Sequence, residues 1–238
     1  MDAKTFYIRH KDIEEQKKVQ YNGNHISLGG KHCRKEVAEI TLDMLMCVFP
    51  INSLLDIGCG ALGLLTLLKG KVPHLYGIDI VDYAIWPKEP DIITRVVDVD
   101  KEGIVFPDAT FDCVTMLSTL EHLFDPFTTI KEVYRVLKYK AYFILCVPNI
   151  AGIKHRINLL MGRLPTTSWA GAFNEKEWDG GHIHYFTLKS LVRLLHTEGP
   201  FKILDVKGSG RFQLLKSLRA SFFSQDLILL CQKVLHHV

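Results

Sequence analysis

The sequence predicts an α/β fold built on a doubly wound, mostly parallel sheet. Short apolar segments typical of buried strands alternate with amphipathic helical segments over about a hundred residues, which favours a parallel sheet with crossover helices. A glycine-rich turn at residues 58–63 joins one strand to the next helix. Aspartates stand at or near the ends of three successive strands. Because ligands of such sheets bind at the carboxyl ends of the strands, these three features predict a ligand site at one edge.

Each predicted element has its own signal. Helical apolar spacing predicts a helix at residues 37–48, which Pro50 ends. Asp125 as an N-cap and Pro126 at the first helical position start another helix, which runs to Leu137. The remaining predicted helices cover residues 62–68 and 188–198, and the predicted strands cover residues 54–57, 74–79, 92–97, 111–117, 142–147, 201–206 and 227–231.

Length and composition indicate an ordinary globular protein of one domain. The chain has 238 residues, of which 47% are hydrophobic and 23% charged. A net charge of +3 does not by itself favour nucleic acid or a membrane surface as a partner. Six scattered cysteines without a Cys-x-x-Cys pair or a secretory signal predict reduced thiols and a cytoplasmic location. No apolar run approaches the roughly 18 residues of a membrane helix, so no integral membrane segment is expected.

The glycine-rich turn carries the first functional signal. The string Gly58-x-Gly60-x-x-Gly63 fits a dinucleotide fingerprint, but Asp56 would place a carboxylate close to anionic phosphates there. Next to a ligand with an ammonium or sulfonium group, the same carboxylate is attractive. Asp-x-Gly-x-Gly resembles motif I of class I methyltransferases, whose cofactor S-adenosylmethionine carries both cations. The chain departs from that motif at Leu62, where the family most often has its third glycine, and we interpret this as a variant turn.

Two further acids extend the cofactor prediction. Asp79, at the end of the second strand of the core, can accept both ribose hydroxyls, as the equivalent acid does in NAD enzymes. The resemblance implies that Asp98 binds the adenine amino group and that Val99 offers its backbone N–H, with Asp100 as the competing acid. The complete set of predicted cofactor-binding residues is Asp56, Gly58, Cys59, Gly60, Gly63, Asp79, Ile80, Asp98, Val99 and Leu117.

The resemblance covers a large part of the chain. From Leu54 to Asn149 the ordered motifs resemble small-molecule methyltransferases of the ubiquinone-biosynthesis type, and the motifs after Asn149 look like the methionine-biosynthesis protein MetW. This resemblance implies seven strands with an antiparallel C-terminal strand. It also implies a single domain with an N-terminal arm or cap (1–32), a cofactor-binding core (33–149), a substrate-side insertion (150–186) and a C-terminal helix with a closing strand pair (187–238).

The expected function is methyl transfer from S-adenosylmethionine to a small molecule, with S-adenosylhomocysteine as the product. Two other functions stay open at this stage: a non-catalytic regulatory partner of a metabolic enzyme, as the MetW resemblance allows, and an NAD-dependent oxidoreductase. No nucleic acid partner is expected, whereas a protein partner or a homodimer is left open.

Candidate catalytic and substrate residues follow the core strands. His122, His182 and His184 are candidate bases for a protonated acceptor, although each is also compatible with a structural role. Predicted substrate contacts are Asn149, Arg156, Arg163 and Tyr185, the two arginines belonging with Lys154 and His155 to a basic cluster that either captures an anion or forms a solvated helix face. Related enzymes with Glu-x-x-Glu-His hold a divalent cation, but Ser118 replaces the first of those glutamates, and we therefore predict no metal.

Overall fold

The computed structural model of the chain describes residues 25–28, 31–167, 182–210 and 220–235. Most of the predicted N-terminal arm and part of the predicted insertion, residues 168–181, therefore lie outside the described residues. The strands are β1 His25–Leu28, β2 Lys31–Arg34, β3 Ser53–Ile57, β4 His74–Asp79, β5 Ile92–Val96, β6 Phe111–Leu117, β7 Leu137–Pro148, β8 Phe201–Ser209 and β9 Asp226–Lys233. The α-helices are α1 Lys35–Met46, α2 Gly63–Leu68, α3 Val99–Glu102, α4 Pro126–Val136, α5 Ile153–Leu160, α6 Leu188–Glu198 and α7 Ala220–Phe223.

Seven strands form one sheet in the order β5-β4-β3-β6-β7-β9-β8. The first five of these strands are parallel to one another, whereas β9 lies antiparallel between β7 and β8. This arrangement confirms the predicted fold class, including the antiparallel C-terminal strand. The strand order reverses between β3 and β6, and a crevice at such a reversal, at the carboxyl ends of the strands, is the expected ligand site of a doubly wound sheet.

Both faces of the sheet are covered by apolar side chains, as strand alternation requires. In β3, Leu54 belongs to the core on one face and Leu55 to the core on the other. The first core includes residues of α1 and α2, and the second includes residues of α4 and α6. Because five neighbouring strands are parallel, the polar residues that follow them are gathered along one edge of the sheet.

The structure departs from the predicted elements at several places. β7 begins at Leu137, well before the predicted start at residue 142, because Leu137 is extended (φ −73°, ψ 138°) and pairs with Phe111 directly after α4. A two-stranded antiparallel hairpin of β1 and β2, which was not predicted, precedes α1. The backbone of β1 comes close to α2, the helix that follows the glycine-rich turn.

Two further expectations can be compared with the described residues. Cys47, Cys59, Cys113, Cys146 and Cys231 are free thiols, and all but Cys47 are buried. No α-helix in the described ranges is both long enough and apolar enough to cross a membrane.

Candidate active site

The glycine turn (residues 58–63) lies between the ends of β3 and β4. Gly58 and Gly60 have left-handed φ angles of 75° and 47°, which favour glycine. The N–H groups of Gly58 and Cys59 both donate to the carbonyl oxygen of Ile78 in β4, at 2.8 and 3.1 Å. A Cβ atom at Gly58 would overlap the Thr119 hydroxyl after β6. The turn is thus held between two neighbouring strands with no room for a side chain at its first glycine.

Leu62 accounts for the departure from the usual glycine spacing. It has a left-handed backbone, with φ 63° and ψ 23°, and serves as the N-cap residue of α2, whose first residue is Gly63. The backbone therefore adopts at this position a conformation that favours glycine, although a leucine occupies it. The Leu62 side chain is completely buried in the core, and the apolar burial offsets the cost of the left-handed backbone.

Asp56 is a buried carboxylate directly before the glycine turn. Its side chain is 5% exposed, and the Thr115 hydroxyl donates to Oδ1 at 2.7 Å. The pKa of Asp56 is raised to about 7, mainly by burial; the Thr115 hydrogen bond opposes this rise, and the charge of Asp79 adds to it. A nearby cation would favour the ionised form of Asp56, as expected for a cofactor with a cationic group.

Asp79 links the glycine turn to the end of β4. Its Oδ2 accepts a hydrogen bond from the Gly60 N–H at 2.9 Å, and its Oδ1 accepts one from the Val81 N–H at 3.4 Å. Its backbone carbonyl oxygen also accepts from the Val97 N–H at 2.8 Å, next to the end of β5. The carboxylate predicted to bind ribose therefore also sets the position of the turn.

Asp98 and Asp100 occupy different environments. Asp98 is 9% exposed, forms the N-cap position of α3, and has Oδ2 3.1 Å from Lys101 Nζ. The half-buried Asp100 carboxylate accepts hydrogen bonds from the Phe124 and Asp125 N–H groups, all at 3.0 Å, just before α4. Since Asp100 is engaged with the start of α4, Asp98 is the better placed of the two for a nucleoside.

Trp86 is a site residue that the sequence analysis missed. It is buried, and its indole Nε1–H donates to the Gly60 carbonyl oxygen at 2.7 Å. The residue lies in a short 3₁₀ helix, Trp86–Lys88, between β4 and β5. A tryptophan in a loop gives no periodic signal, so only the folded chain reveals that it supports the glycine turn.

A second group of polar side chains lies directly after β6. Glu121 and His122 belong to a 3₁₀ helix, Leu120–His122, and Glu121 Oε1 lies 3.8 Å from His122 Nε2 and 3.9 Å from His182 Nε2. The rings of His122 and His182 meet edge to face, with centroids 4.7 Å apart. Glu121 was not predicted as a site residue. We call Glu121, His122 and His182 the Glu–His cluster.

Backbone hydrogen bonds hold the segment of His182 against the 3₁₀ helix. The N–H groups of Ile183 and His184 both donate to the Glu121 carbonyl oxygen, at 3.0 and 3.1 Å. The side chain of His184 does not join the cluster, since its Nε2 lies 3.4 Å from the Phe124 carbonyl oxygen. The two histidine side chains therefore have different partners.

Asn149 and Tyr185, two predicted substrate residues near this segment, differ in burial. Asn149 is completely buried, and its Nδ2 donates to the carbonyl oxygens of Ser221 and Ser224, at 3.1 and 3.0 Å. Its Oδ1 accepts from the Ala151 N–H at 3.1 Å, so the side chain is engaged with surrounding backbone rather than directed to a substrate. Tyr185, in contrast, is 47% exposed.

The predicted basic cluster is divided between two environments. Lys154, Arg156 and Arg163 are exposed, whereas His155, from the same helix α5, is buried. The Arg156 guanidinium donates through Nε to the Ala151 carbonyl oxygen at 2.6 Å and lies 5.3 Å from the centre of the Phe222 ring. The exposed cations lie on the segment that directly follows the carboxyl end of β7.

A sequence model of the family described as "Methyltransferase domain" matches residues 29–204. No curated protein sequence matches the chain significantly. Many solved structures share the fold. The 1,6-didemethyltoxoflavin-N1-methyltransferase of Burkholderia thailandensis, solved with bound 1,6-didemethyltoxoflavin and S-adenosylhomocysteine, is 14% identical, with a TM-score of 0.64 over 97% of this chain and 87% of that one. The N-methyltransferase NodS of Bradyrhizobium japonicum is 14% identical, with a TM-score of 0.63 over 98% and 99% of the two chains.

A third similar structure, the cyclase SpnF, is also 14% identical, with a TM-score of 0.64 over 99% of this chain and 98% of that one. At these identities, the likeness concerns the fold alone. Because a cyclase and methyltransferases share this fold, the reaction has to be argued from the family and from the site.

Proposed function

The chain belongs to the methyltransferase-domain family, and on that premise we propose that it transfers a methyl group from S-adenosylmethionine to a small molecule. The observation that carries the proposal is the arrangement at one sheet edge of Asp56, the glycine turn, Asp79 and Asp98. The cofactor is S-adenosylmethionine, with its cationic end near Asp56, its ribose at Asp79 and its adenine at Asp98 and Val99. Cys59, Ile80 and Leu117 complete the proposed cofactor contacts.

The acceptor binds beside the cofactor, at the Glu–His cluster. Thr119 connects the two places, because it lies against Gly58 of the glycine turn and its carbonyl oxygen accepts the His122 N–H at 3.0 Å. Methyl transfer needs the nucleophile in line with the C–S bond and in the correct protonation state. The cluster is positioned to control both, and His184 contributes through its backbone rather than as a base.

A small anionic acceptor is the substrate class that the basic segment supports. Arg156 and Arg163 are exposed on and after α5, next to the carboxyl end of β7 and thus on the ligand side of the sheet. Tyr185 supplies a further exposed polar group. We keep the resemblance to the ubiquinone-type enzymes as a proposal about the substrate. The family match and the antiparallel β9 support methyl transfer, so we adopt neither a non-catalytic partner role nor NAD chemistry.

Cofactor binding is tested by thermal unfolding of the full chain. S-adenosylhomocysteine at a hundred times its dissociation constant should stabilise the protein by about 2.7 kcal/mol, which corresponds to a rise in Tm of roughly 5–10 °C. NADH at the same concentration should leave Tm unchanged. A rise in Tm with NADH and none with S-adenosylhomocysteine would contradict the proposal.

Catalysis is tested with S-adenosylmethionine labelled in its methyl group and fractions of a metabolite extract. Mass spectrometry should detect a product that carries the labelled methyl and depends on active protein. The matched control is the Asp79→Ala variant, which should give much less product than the wild type at a cofactor concentration near the wild-type dissociation constant. If the protein binds cofactor but labels no small molecule in any fraction, the result would favour a non-catalytic regulatory role over methyl transfer.

A further inference from the structure

Among the residues that the structure describes, the Glu–His cluster is where three side chains able to bind a metal come together. Their ligand atoms all lie within 4.8 Å of one another. The Glu121 side chain is 1% exposed, that of His182 9% and that of His122 12%. The sequence predicted no metal, because Ser118 replaces a glutamate. With His182 as a third ligand brought in by the fold, we propose instead that this cluster binds a divalent transition metal ion of the zinc type, through Glu121 Oε1 and one nitrogen of each imidazole.

The spacing of the ligand atoms suits an ion between them. Glu121 Oε1 is 3.8 and 3.9 Å from the two Nε2 atoms, which is too long for direct hydrogen bonds. In a tetrahedral site with metal bonds of about 2.1 Å, neighbouring ligand atoms are roughly 3.4 Å apart. Side-chain rotations that move these atoms by about half an ångström would therefore complete the coordination.

The chemistry of the ligands selects the class of ion. Two imidazoles and one carboxylate form a mixed nitrogen and oxygen set, which zinc and the neighbouring divalent metals favour, whereas magnesium and calcium prefer oxygen ligands alone. A divalent ion of this class binds a carboxylate oxygen and neutral imidazole nitrogens together, which is the ligand set that the cluster offers.

The surroundings of the cluster orient its ligands. Thr167 Oγ1 lies 2.7 Å from His182 Nδ1, where it can accept the Nδ1–H and thereby leave the lone pair on Nε2, which faces Glu121. The hydrogen bonds from the Ile183 and His184 N–H groups to the Glu121 carbonyl oxygen fix the two segments relative to each other. Ligands from distant parts of the chain are therefore held together before an ion binds.

The role of the ion rests on the proposed function. Three protein ligands would leave at least one coordination position for the acceptor. A hydroxyl group of the acceptor bound to the ion would have a lowered pKa and would release its proton to water. The oxygen lone pair then forms a bond to the methyl carbon of S-adenosylmethionine, the C–S bond breaks, and its electron pair remains on sulfur. The products are a methyl ether and S-adenosylhomocysteine, which makes a hydroxylated molecule the acceptor.

Zinc binding to the chelator-treated full chain, measured by calorimetry, tests the site. The wild type should bind one zinc ion, and Glu121→Gln and His182→Gln should each weaken binding at least a hundredfold. Thr167→Val should weaken it about tenfold, because the orientation of His182 is lost. His184→Gln is the matched control, a neighbouring histidine outside the cluster, and should leave zinc affinity unchanged. Equal zinc affinity in the wild type and Glu121→Gln, or an equal loss in His184→Gln, would overturn the proposal.

Two further measurements separate the possible causes of failure. The affinity for S-adenosylhomocysteine in each variant shows whether the fold is intact, and it also tests the proposed function independently of the metal. If the cluster variants do not fold, the absorption spectrum of the cobalt-loaded wild type tests whether the cluster binds a metal ion. Intense bands of four- or five-coordinate cobalt support the site, and the weak bands of fully hydrated cobalt overturn it.

Discussion

Replacing Asp56 with Asn should stabilise the protein without ligand at alkaline pH. Burial raises the pKa of Asp56 from 3.8 to about 7, with the Thr115 hydrogen bond opposing and Asp79 adding to this shift. The folded state therefore binds a proton more tightly than the unfolded state does, and the free energy of unfolding decreases as pH rises from about 4 to 7. Because one pKa unit corresponds to about 1.4 kcal/mol, the decrease in the free energy of unfolding above pH 7 reaches about 4 kcal/mol. Asn has no charge and does not cause this decrease.

Urea unfolding of the wild type and Asp56→Asn at pH 5, 6, 7 and 8 measures this effect. The free energy of unfolding of the variant minus that of the wild type should increase with pH and level off near pH 8. The difference between the two proteins cancels the titration of all other groups. A difference that stays constant from pH 5 to pH 8, or a variant less stable than the wild type at pH 8, would refute the reasoning.

Asp112 provides a control of opposite sign. Burial raises its pKa, but hydrogen bonds from the Lys138 ammonium and from the Ser53 hydroxyl and N–H outweigh burial, so that the net pKa is lowered. A lowered pKa in the folded state gives stability that is present at neutral pH and lost as pH falls below the ordinary value. Asp112→Asn should therefore destabilise the protein at pH 8, and its effect should diminish toward acid pH.

The same Asp56 carboxylate should couple cofactor binding to pH. A bound sulfonium and ammonium favour the ionised form, so S-adenosylmethionine binding to the wild type near pH 6 should release a proton, and affinity should increase as pH rises through 7. Calorimetry in two buffers of different ionisation enthalpy detects that proton. Asp56→Asn should bind the cofactor more weakly and release none, and proton release by the variant equal to that of the wild type would exclude Asp56 as the source.

Three further predictions concern the glycine turn. Leu62→Gly should be more stable than Leu62→Ala by about 1 kcal/mol in urea unfolding, because only glycine accepts the left-handed backbone without cost; the opposite order would contradict the assignment. Gly58→Ala should destabilise by about 2–4 kcal/mol through its φ of 75° and its overlap with Thr119, and Thr119→Ala in the same chain should restore part of that loss. Asp79→Ala should weaken S-adenosylhomocysteine binding about tenfold to a hundredfold, and unchanged affinity by calorimetry would remove Asp79 from the site.

The parallel part of the fold could be predicted because its signals are local. The strands at His74–Asp79 and Phe111–Leu117 and the helix at Leu188–Glu198 have the predicted bounds, since each apolar run ends at a turn or cap that the sequence shows. Thr187 caps this helix, because its side chain accepts the Ser190 N–H. The hairpin of β1 and β2 was missed because each of its strands has only 4 residues, which is too short for alternation to identify a strand.

The cofactor edge was more accessible to prediction than the acceptor side. Asp56, the glycine turn, Asp79 and Asp98 are adjacent to strand ends, and parallel strands bring their carboxyl ends to one edge regardless of side-chain detail. Asn149 shows the opposite case. Its place after a strand suggested a substrate contact, but its partners are carbonyl oxygens far along the chain, which no local pattern reveals.

The sequence by itself determined the alternation of strands and helices, the glycine turn and the row of aspartates, because these depend on periodicity and spacing over a few residues. Only the tertiary structure decided that Trp86 supports Gly60 and that Glu121 meets His182. Such contacts depend on how the chain returns to the sheet after β7, where backbone hydrogen bonds to the Glu121 carbonyl oxygen set the position of the incoming segment. A pairing between distant segments is set by the packing of the whole fold, and it leaves no periodic pattern in either segment.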